Sequence, residues 1–477
     1  MVYVLLNKLL KMASISVKQL TATFLLPLII TSQCARASEY FDLVISNVTI
    51  IDATSNPRPN HYVAIHDGRI AKVVGRPIQD QPETIDGSDM YLIPGLWDMH
   101  VHIVYEKALV GLMPSLFLDY GVTSVRDTGA ILGKIQPQVE NWLKLGDYAP
   151  DLYFSGPLLD GDLVVYDGNG RTEIGTSVPS ISSANKRVSE LKNAGASFIK
   201  IYEMVTPEVF QALVSAAESH NLPIAAHVPL SMVANDAGPL VDSMEHLRNI
   251  DLACAESADN LHRKRISELR SNVGRSGYEL RSFLHNSQRK VAYQTADPTS
   301  SRCQLVIDSL GGTIQVPTLR LNTIDRYSPL KRADWQKHLQ RLPKDLVANW
   351  MSMANYFSEQ PSDLGIQMSD WSLALVGEMQ RRGVPIGAGT DTPIGQAIPG
   401  YSLHTELERL VDAGLTEREA LRAATVQPAT FFREQEKRGE IRVGMEADLL
   451  LLKRNPLQDI RNTRSIEAVI SNGRRVR

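Results

Sequence analysis

The chain has 477 residues, 43% hydrophobic and 22% charged. That excludes a minimal domain and wholesale disorder, and it suits one large barrel plus a smaller module. The net charge of -3 leaves no basic excess to draw the chain to nucleic acid or to anionic lipid.

The N-terminal stretch reads as an export signal over residues 1–37. Lys18 precedes the apolar run "LTATFLLPLIITS", which is too short to span a bilayer comfortably, and "ARA" at Ala35–Ala37 offers small residues for cleavage before Ser38. Met12 supplies a second start that gives a signal of more typical length. A lipid anchor on Cys34 is disfavoured by the bulky Gln33 before it. The expected location is periplasmic or extracellular, with no stable membrane insertion after cleavage. Cys254 and Cys303 then remain. An even pair in an oxidising compartment suggests a disulfide, two unrelated buried thiols are the alternative, and sequence does not choose between them.

From 38 to 92 the texture is β. "FDLVISNVTIID" alternates apolar and polar residues, and Asp67-Gly68 lies between two strand-like runs, a hairpin signal because both turn residues favour positive φ. The same texture returns over 439–477, around Asn472-Gly473. Two β-rich ends bracketing a long middle predict one small β-sandwich domain built from both chain ends.

The middle, 93–438, alternates short apolar runs with helical segments. After the opening "IPGLWDMHVH" come "GVTSVRD", "DLYFSG", "SFIKIY", "PIAAHV", "DSMEHL", "TIQVPTL" and "VPIGAGTD". Eight strand candidates in α/β alternation predict a (β/α)8 TIM-like barrel. A polar interval over 247–312 follows the sixth strand and is expected to cap the barrel mouth. A second long interval, 321–383, follows the seventh.

In such a barrel, chemistry collects at the C-terminal strand ends. His100 and His102 lie two apart, hence on one face of a strand. Lys200 sits inside "SFIKIY", His227 ends "PIAAHV", His246 ends "DSMEHL", and Asp391 follows "IGAGT". Each has an ordinary reading taken singly: a satisfied histidine, a snorkelling lysine, a capping aspartate. Six such residues at one end of one barrel point instead to a metal centre. Imidazole and carboxylate suit zinc and similar divalent ions. A buried lysine loses its charge readily, and its neutral amine can add carbon dioxide to give a carbamate able to bridge two ions.

The order His-x-His, Lys, His, His, Asp resembles the amidohydrolase superfamily, in particular its secreted imidazolonepropionase-like and prolidase-like branch with a carboxylated lysine. "AGTDTP", "LHTELERLVDAGLTEREALRAAT" and "GEIRVGMEADLLLL" carry the likeness further. The resemblance implies two divalent ions, most readily Zn2+. His100, His102 and Asp391 would hold one, His227 and His246 the other, and carboxylated Lys200 would bridge them. It implies hydrolysis of a C–N bond in a small molecule such as a dipeptide or an N-acyl amino acid, by attack of a metal-bridging hydroxide whose proton Asp391 accepts. Relatives often form homo-oligomers, so self-association is left open.

The chain departs from its dipeptidase relatives at Pro229, where they often carry a tyrosine two residues after the strand-five histidine. Tyr202 is placed either to hydrogen-bond an oxyanion or to sit at the rim. His404, opening "LHTELERL", either reaches the substrate or caps its helix. Arg126 and Asp127, ending the second strand, are candidates to meet a substrate group. No His-x-x-Glu surrounds His227, which disfavours a single-metal deaminase. That reading, a cyclic amide or lactone hydrolase, and a non-catalytic protein on the same fold are the alternatives.

Overall fold

The computed structural model describes residues 40–78, 81–358 and 362–477. The expected export segment lies outside the described residues. Among the described residues, no helix is long and apolar enough to cross a membrane.

Both chain ends contribute to one eight-stranded sheet. Tyr91–Pro94 joins them: it runs parallel to Leu43–Ile50 on one side and antiparallel to Leu449–Leu452 on the other. Alternating residues such as Ile45, Ile50, Val63, Leu449 and Ile470 are buried in a common apolar cluster, the period-2 pattern that fixes register. The two predicted turns form, with positive φ at Asp67, Gly68, Asn472 and Gly473. They also abut. A Cβ on Gly473 would stand 2.8 Å from the Gly68 Cα, so glycine is needed there for close approach as well as for the turn.

The middle contains seven parallel strands that bear on the site: β1 (Leu96–Val101), β2 (Val122–Asp127), β3 (Asp151–Phe154), β4 (Ile199–Ile201), β5 (Ile224–Ala226), β6 (Ser243–Glu245) and β7 (Ile314–Val316). β1, β2 and β3 pair in order, as do β4, β5, β6 and β7. Ser197 N–H, just before β4, donates to Phe154 O at the end of β3. The eighth expected strand, "VPIGAGTD", is not a strand. It forms isolated parallel bridges, Ile386 to Gln315 and Thr392 to Val101, and exchanges backbone hydrogen bonds with β1 (Met99 N–H to Ala388 O, Asp391 N–H to His100 O) and β7 (Gln315 N–H to Pro385 O, Gly387 N–H to Gln315 O). Its glycines let it approach β1 closely. A Cβ on Gly387 would meet the Met99 sulfur at 2.6 Å, and one on Gly389 would meet His100 Cβ at 2.8 Å. Backbone hydrogen bonds to β1 and β7, together with close packing on β1, hold this segment.

The helices start where local chemistry directs. Ser180 closes a capping box on Ile181–Asn193, and Thr206 caps Pro207–Ser219 with proline in its first turn. The interval after β6 folds as four helices, Ile250–Cys254, Ala258–Arg270, Gly277–Thr295 and Ser301–Ser309. Cys254 and Cys303 are joined by a disulfide, which closes the question the sequence left open. The bridged residues are 49 apart, so loop-closure entropy makes the bond worth up to about 4 kcal/mol. The Cys254→Ala, Cys303→Ala double variant is expected to lose about 2–4 kcal/mol in urea unfolding, and an unchanged midpoint would contradict this.

Sequence reading missed the strand pair Leu158–Asp160 and Gly175–Ser177. It lies beside β4 and carries the loop between them to the site.

Candidate metal centre

The four histidines are delivered by strand geometry. His100 is in β1 with His102 just beyond it, and His227 and His246 follow directly on β5 and β6. Lys200 is the middle residue of β4. All four, with Lys200, Tyr202 and Asp391, line one cavity of about 110 Å³. His100, His246 and Asp391 present ligand atoms within 4.8 Å of one another. Asp391 Oδ1 lies 3.4 Å from His100 Nε2 and 3.2 Å from His102 Nε2. The His100 and His246 rings are 4.4 Å apart, and those of His227 and His246 are 4.9 Å apart. A larger hollow of about 900 Å³, lined by residues such as Ile324, Tyr327, Met353 and Ile366, has no histidine, so the chemistry points to the smaller cavity.

Each histidine is held by its outer nitrogen. His100 Nδ1 meets Glu245 Oε2 at 2.6 Å, and His227 Nδ1 meets Glu203 Oε1 at 2.8 Å. His102 Nδ1 meets the Gly129 carbonyl at 3.1 Å, and His246 Nδ1 meets the Thr318 hydroxyl at 2.8 Å. Bonds to carboxylate and carbonyl place the proton on Nδ1, which leaves the Nε2 lone pair available as a ligand. Burial, then the nearby Lys200, pushes the His227 pKa down to about 3. Burial followed by neighbouring cationic groups also holds His100 and His246 well below the ordinary histidine range. Burial works the same way on His102, but the bond to Asp391, the Asp391 and Asp127 charges and the Gly129 carbonyl together outweigh it and raise that ring. 

Lys200 is the residue that makes least sense without a ligand. It is 1% exposed, and its Nζ has no hydrogen-bond partner. Burial lowers its pKa to about 8, within reach of a neutral amine. A buried polar atom with no partner is costly unless something satisfies it. The donor set of four imidazoles, one carboxylate and this amine therefore fits divalent metal.

The backbone is also unusual here. His246, Leu247, Asn249, Thr318 and Asp391 all have φ between 46° and 62°. Non-glycine residues in this region carry strain, and such outliers concentrate at functional sites.

Some sequence-based expectations need correction. His404 does not reach the cavity. Its Nε2 donates to the Tyr120 carbonyl and its Nδ1 meets the Thr463 hydroxyl, each at 2.9 Å, so it is a buried strut between its helix and two neighbouring segments. Arg126 and Asp127 are fully buried and do not line the cavity. Arg126 pairs with Glu245 at 2.7 Å, and Asp127 accepts the backbone N–H groups of Ile103 and Gly129. Tyr202 does line the cavity, with its ring 4.5 Å from that of His227. Burial raises its pKa well above the ordinary value, so its hydroxyl stays protonated.

The buried His404 supplies a pH prediction. Burial, then Arg464, lowers its pKa to about 3, below the unfolded value of about 6.5. The unfolded chain therefore binds the proton first. Stability from this group is full above about pH 6.5 and falls as pH drops from there toward 3. At pH 5 the loss is about 2 kcal/mol. Denaturant titrations at pH 7 and 5 are expected to show a smaller acid loss in His404→Gln than in the parent, and equal losses would refute the assignment.

Sequence reasoning missed the supporting acids and the cap's contribution. Glu245 was legible in principle, because an acid inside the apolar strand "DSMEHL" requires a partner. Glu203 binds His227 and also Arg281 (2.9 Å) and His285 (2.6 Å) from helix Gly277–Thr295. That ties the cap to a candidate ligand, a pairing no local pattern announces.

Comparisons with known proteins agree with this geometry. Residues 329–477 match the amidohydrolase family. An ochratoxinase from Aspergillus niger is 37% identical over 91 residues. That alignment covers 19% of this chain and 18% of the relative, so the chain spans less than a fifth of the curated protein it matches. Solved structures share the fold over most of the chain. A Xaa-Pro dipeptidase with methionine bound in its active site aligns with a TM-score of 0.62 and 20% identity, over 91% of this chain and 99% of that one. Molinate hydrolase aligns with a TM-score of 0.63 and 18% identity, over 91% and 94%. The A. niger ochratoxinase structure gives 0.61 and 20%, over 91% and 95%. The chain thus has a mixed α/β fold shared with hydrolases of the amidohydrolase type.

Proposed function

We propose that the protein is a metal-dependent amidohydrolase that cleaves a C–N bond, amide or peptide, of a small molecule such as a dipeptide or an N-acyl amino acid. The convergence of His100, His102, Lys200, His227, His246 and Asp391 on one cavity carries this reading. The family match and the shared fold support it.

His100, His102 and Asp391 would hold one divalent ion, most readily zinc, and His227 and His246 a second. Lys200, carboxylated by carbon dioxide with loss of a proton, would lie between them. When bound, the ions supply an acidified water and polarise the scissile carbonyl. Asp391 takes up a proton on its carboxylate and returns it to the departing nitrogen. The Tyr202 hydroxyl donates to the developing oxyanion. Glu203 and Glu245 fix the tautomers of His227 and His100.

The strand pairings support a (β/α)8 barrel over 93–438, with 247–312 as its cap, and a sandwich domain from 38–92 and 439–477. The disulfide supports export to an oxidising compartment. The test is a panel of dipeptides and N-acyl amino acids on metal-loaded protein, beside nucleobases and lactones. Carboxylate and amine release from the amides is expected. Ammonia release from nucleobases, or lactone opening alone, would overturn the reading.

A further inference from the structure

Two arginines line the candidate cavity, and they differ in one respect. Each has a buried Nε without a hydrogen-bond partner, but only Arg281 has a counter-charge. It pairs with Glu203 at 2.9 Å and lies over the Tyr202 ring. Arg248, two residues past His246, is partly buried, and its Nε is enclosed without a hydrogen-bond partner. Among the described residues, no carboxylate forms an ion pair with it. Arg265 and Arg289 lie nearby, and Asp251 is shared electrostatically among all three arginines. Burial and then Arg248 depress the Arg289 pKa, so the two guanidinium groups lie within electrostatic reach of each other. A guanidinium facing a cavity in this state is a ready partner for an anion, and its planar fork matches a carboxylate. Beyond the candidate ligands and the two arginines, the wall is apolar or aromatic, with Leu158, Tyr166, Ile174 and Tyr202 among its residues.

We infer that Arg248 anchors a free carboxylate of the substrate, so that the amides cleaved here are acids bearing an apolar or aromatic group. This rests on the hydrolase reading above, but binding alone can test it. The probes are 3-phenylpropanoate and 3-phenylpropanol, which share a ring and chain, differ in charge and contain no bond to hydrolyse. Calorimetry on the metal-loaded protein is expected to show the acid binding at least about tenfold more tightly than the alcohol, the scale of a charge-assisted hydrogen bond. Arg248→Met is expected to weaken acid binding by about 10–100-fold, and Arg248→Lys to restore part of it. With an N-acyl amino acid as substrate, the loss should fall on KM more than on kcat.

Equal affinity of the parent for acid and alcohol overturns the inference, and this comparison needs no variant. It is also overturned if folded Arg248→Met binds the acid as the parent does, since the metals alone would then hold the anion. Absence of amide hydrolysis with Arg248-dependent acid binding intact would refute the hydrolase reading and leave the anion site standing.

Discussion

Lys200→Met is expected to cut kcat/KM for amide hydrolysis by more than about 100-fold, the upper range for losing a merely supporting contact at a metal site. It should also lower bound metal measured by elemental analysis. Methionine nearly fills the volume of lysine and carries no charge. In a purely structural role, a buried ammonium with no hydrogen-bond partner has only its attraction to Glu245, Asp391 and Glu203 to offer, and burial outweighs that. Its removal relieves a desolvation cost, so the metal-free variant is expected to be at least as stable as the metal-free parent. The combination of retained stability with lost hydrolysis and lost metal is what separates a ligand from a packing residue. Full metal content and full hydrolysis in Lys200→Met would end the two-metal proposal.

The parts of this molecule that were legible in sequence are those set by local periodicity. His100 and His102 share a face because a strand alternates, Lys200 lies within a short apolar run that becomes a strand, and His227 and His246 end two others. The hairpin turns were legible because Asp-Gly and Asn-Gly suit positive φ. The illegible parts depend on what a segment meets in space. "VPIGAGTD" has the composition of a strand and bonds to β1 and β7, yet it forms only isolated bridges, and its glycines answer to contact with Met99 and His100, which the sequence does not display. His404 looked like a site residue by its position soon after Asp391, but Tyr120 and Thr463 claim both of its nitrogens. The cap's arginine and histidine reach Glu203 across 78 and 82 residues, and no window of sequence displays such a pair.

Glu245→Ala is expected to be the most destabilising single change near the site, by about 3–5 kcal/mol, because it leaves a buried cation without its counter-charge. One carboxylate serves three groups here. Oε1 takes Arg126 at 2.7 Å and the Ser243 hydroxyl at 2.8 Å, while Oε2 takes His100 Nδ1 at 2.6 Å. Arg126 and Glu245 are both buried, and the guanidinium stacks 4.5 Å from the Phe431 ring centre, so water cannot replace the lost acid. If the cost is the orphaned charge, removing its partner as well should recover most of it. The Glu245→Leu, Arg126→Met double variant is therefore expected to unfold in urea close to the parent, while Glu245→Leu alone does not. Hydrolysis should stay low in the double variant, because His100 has still lost the group that fixes its tautomer. Recovery of activity along with stability would show that Glu245 acts only through Arg126, whereas persistent loss separates its two roles: neutralising the buried arginine and orienting a metal ligand.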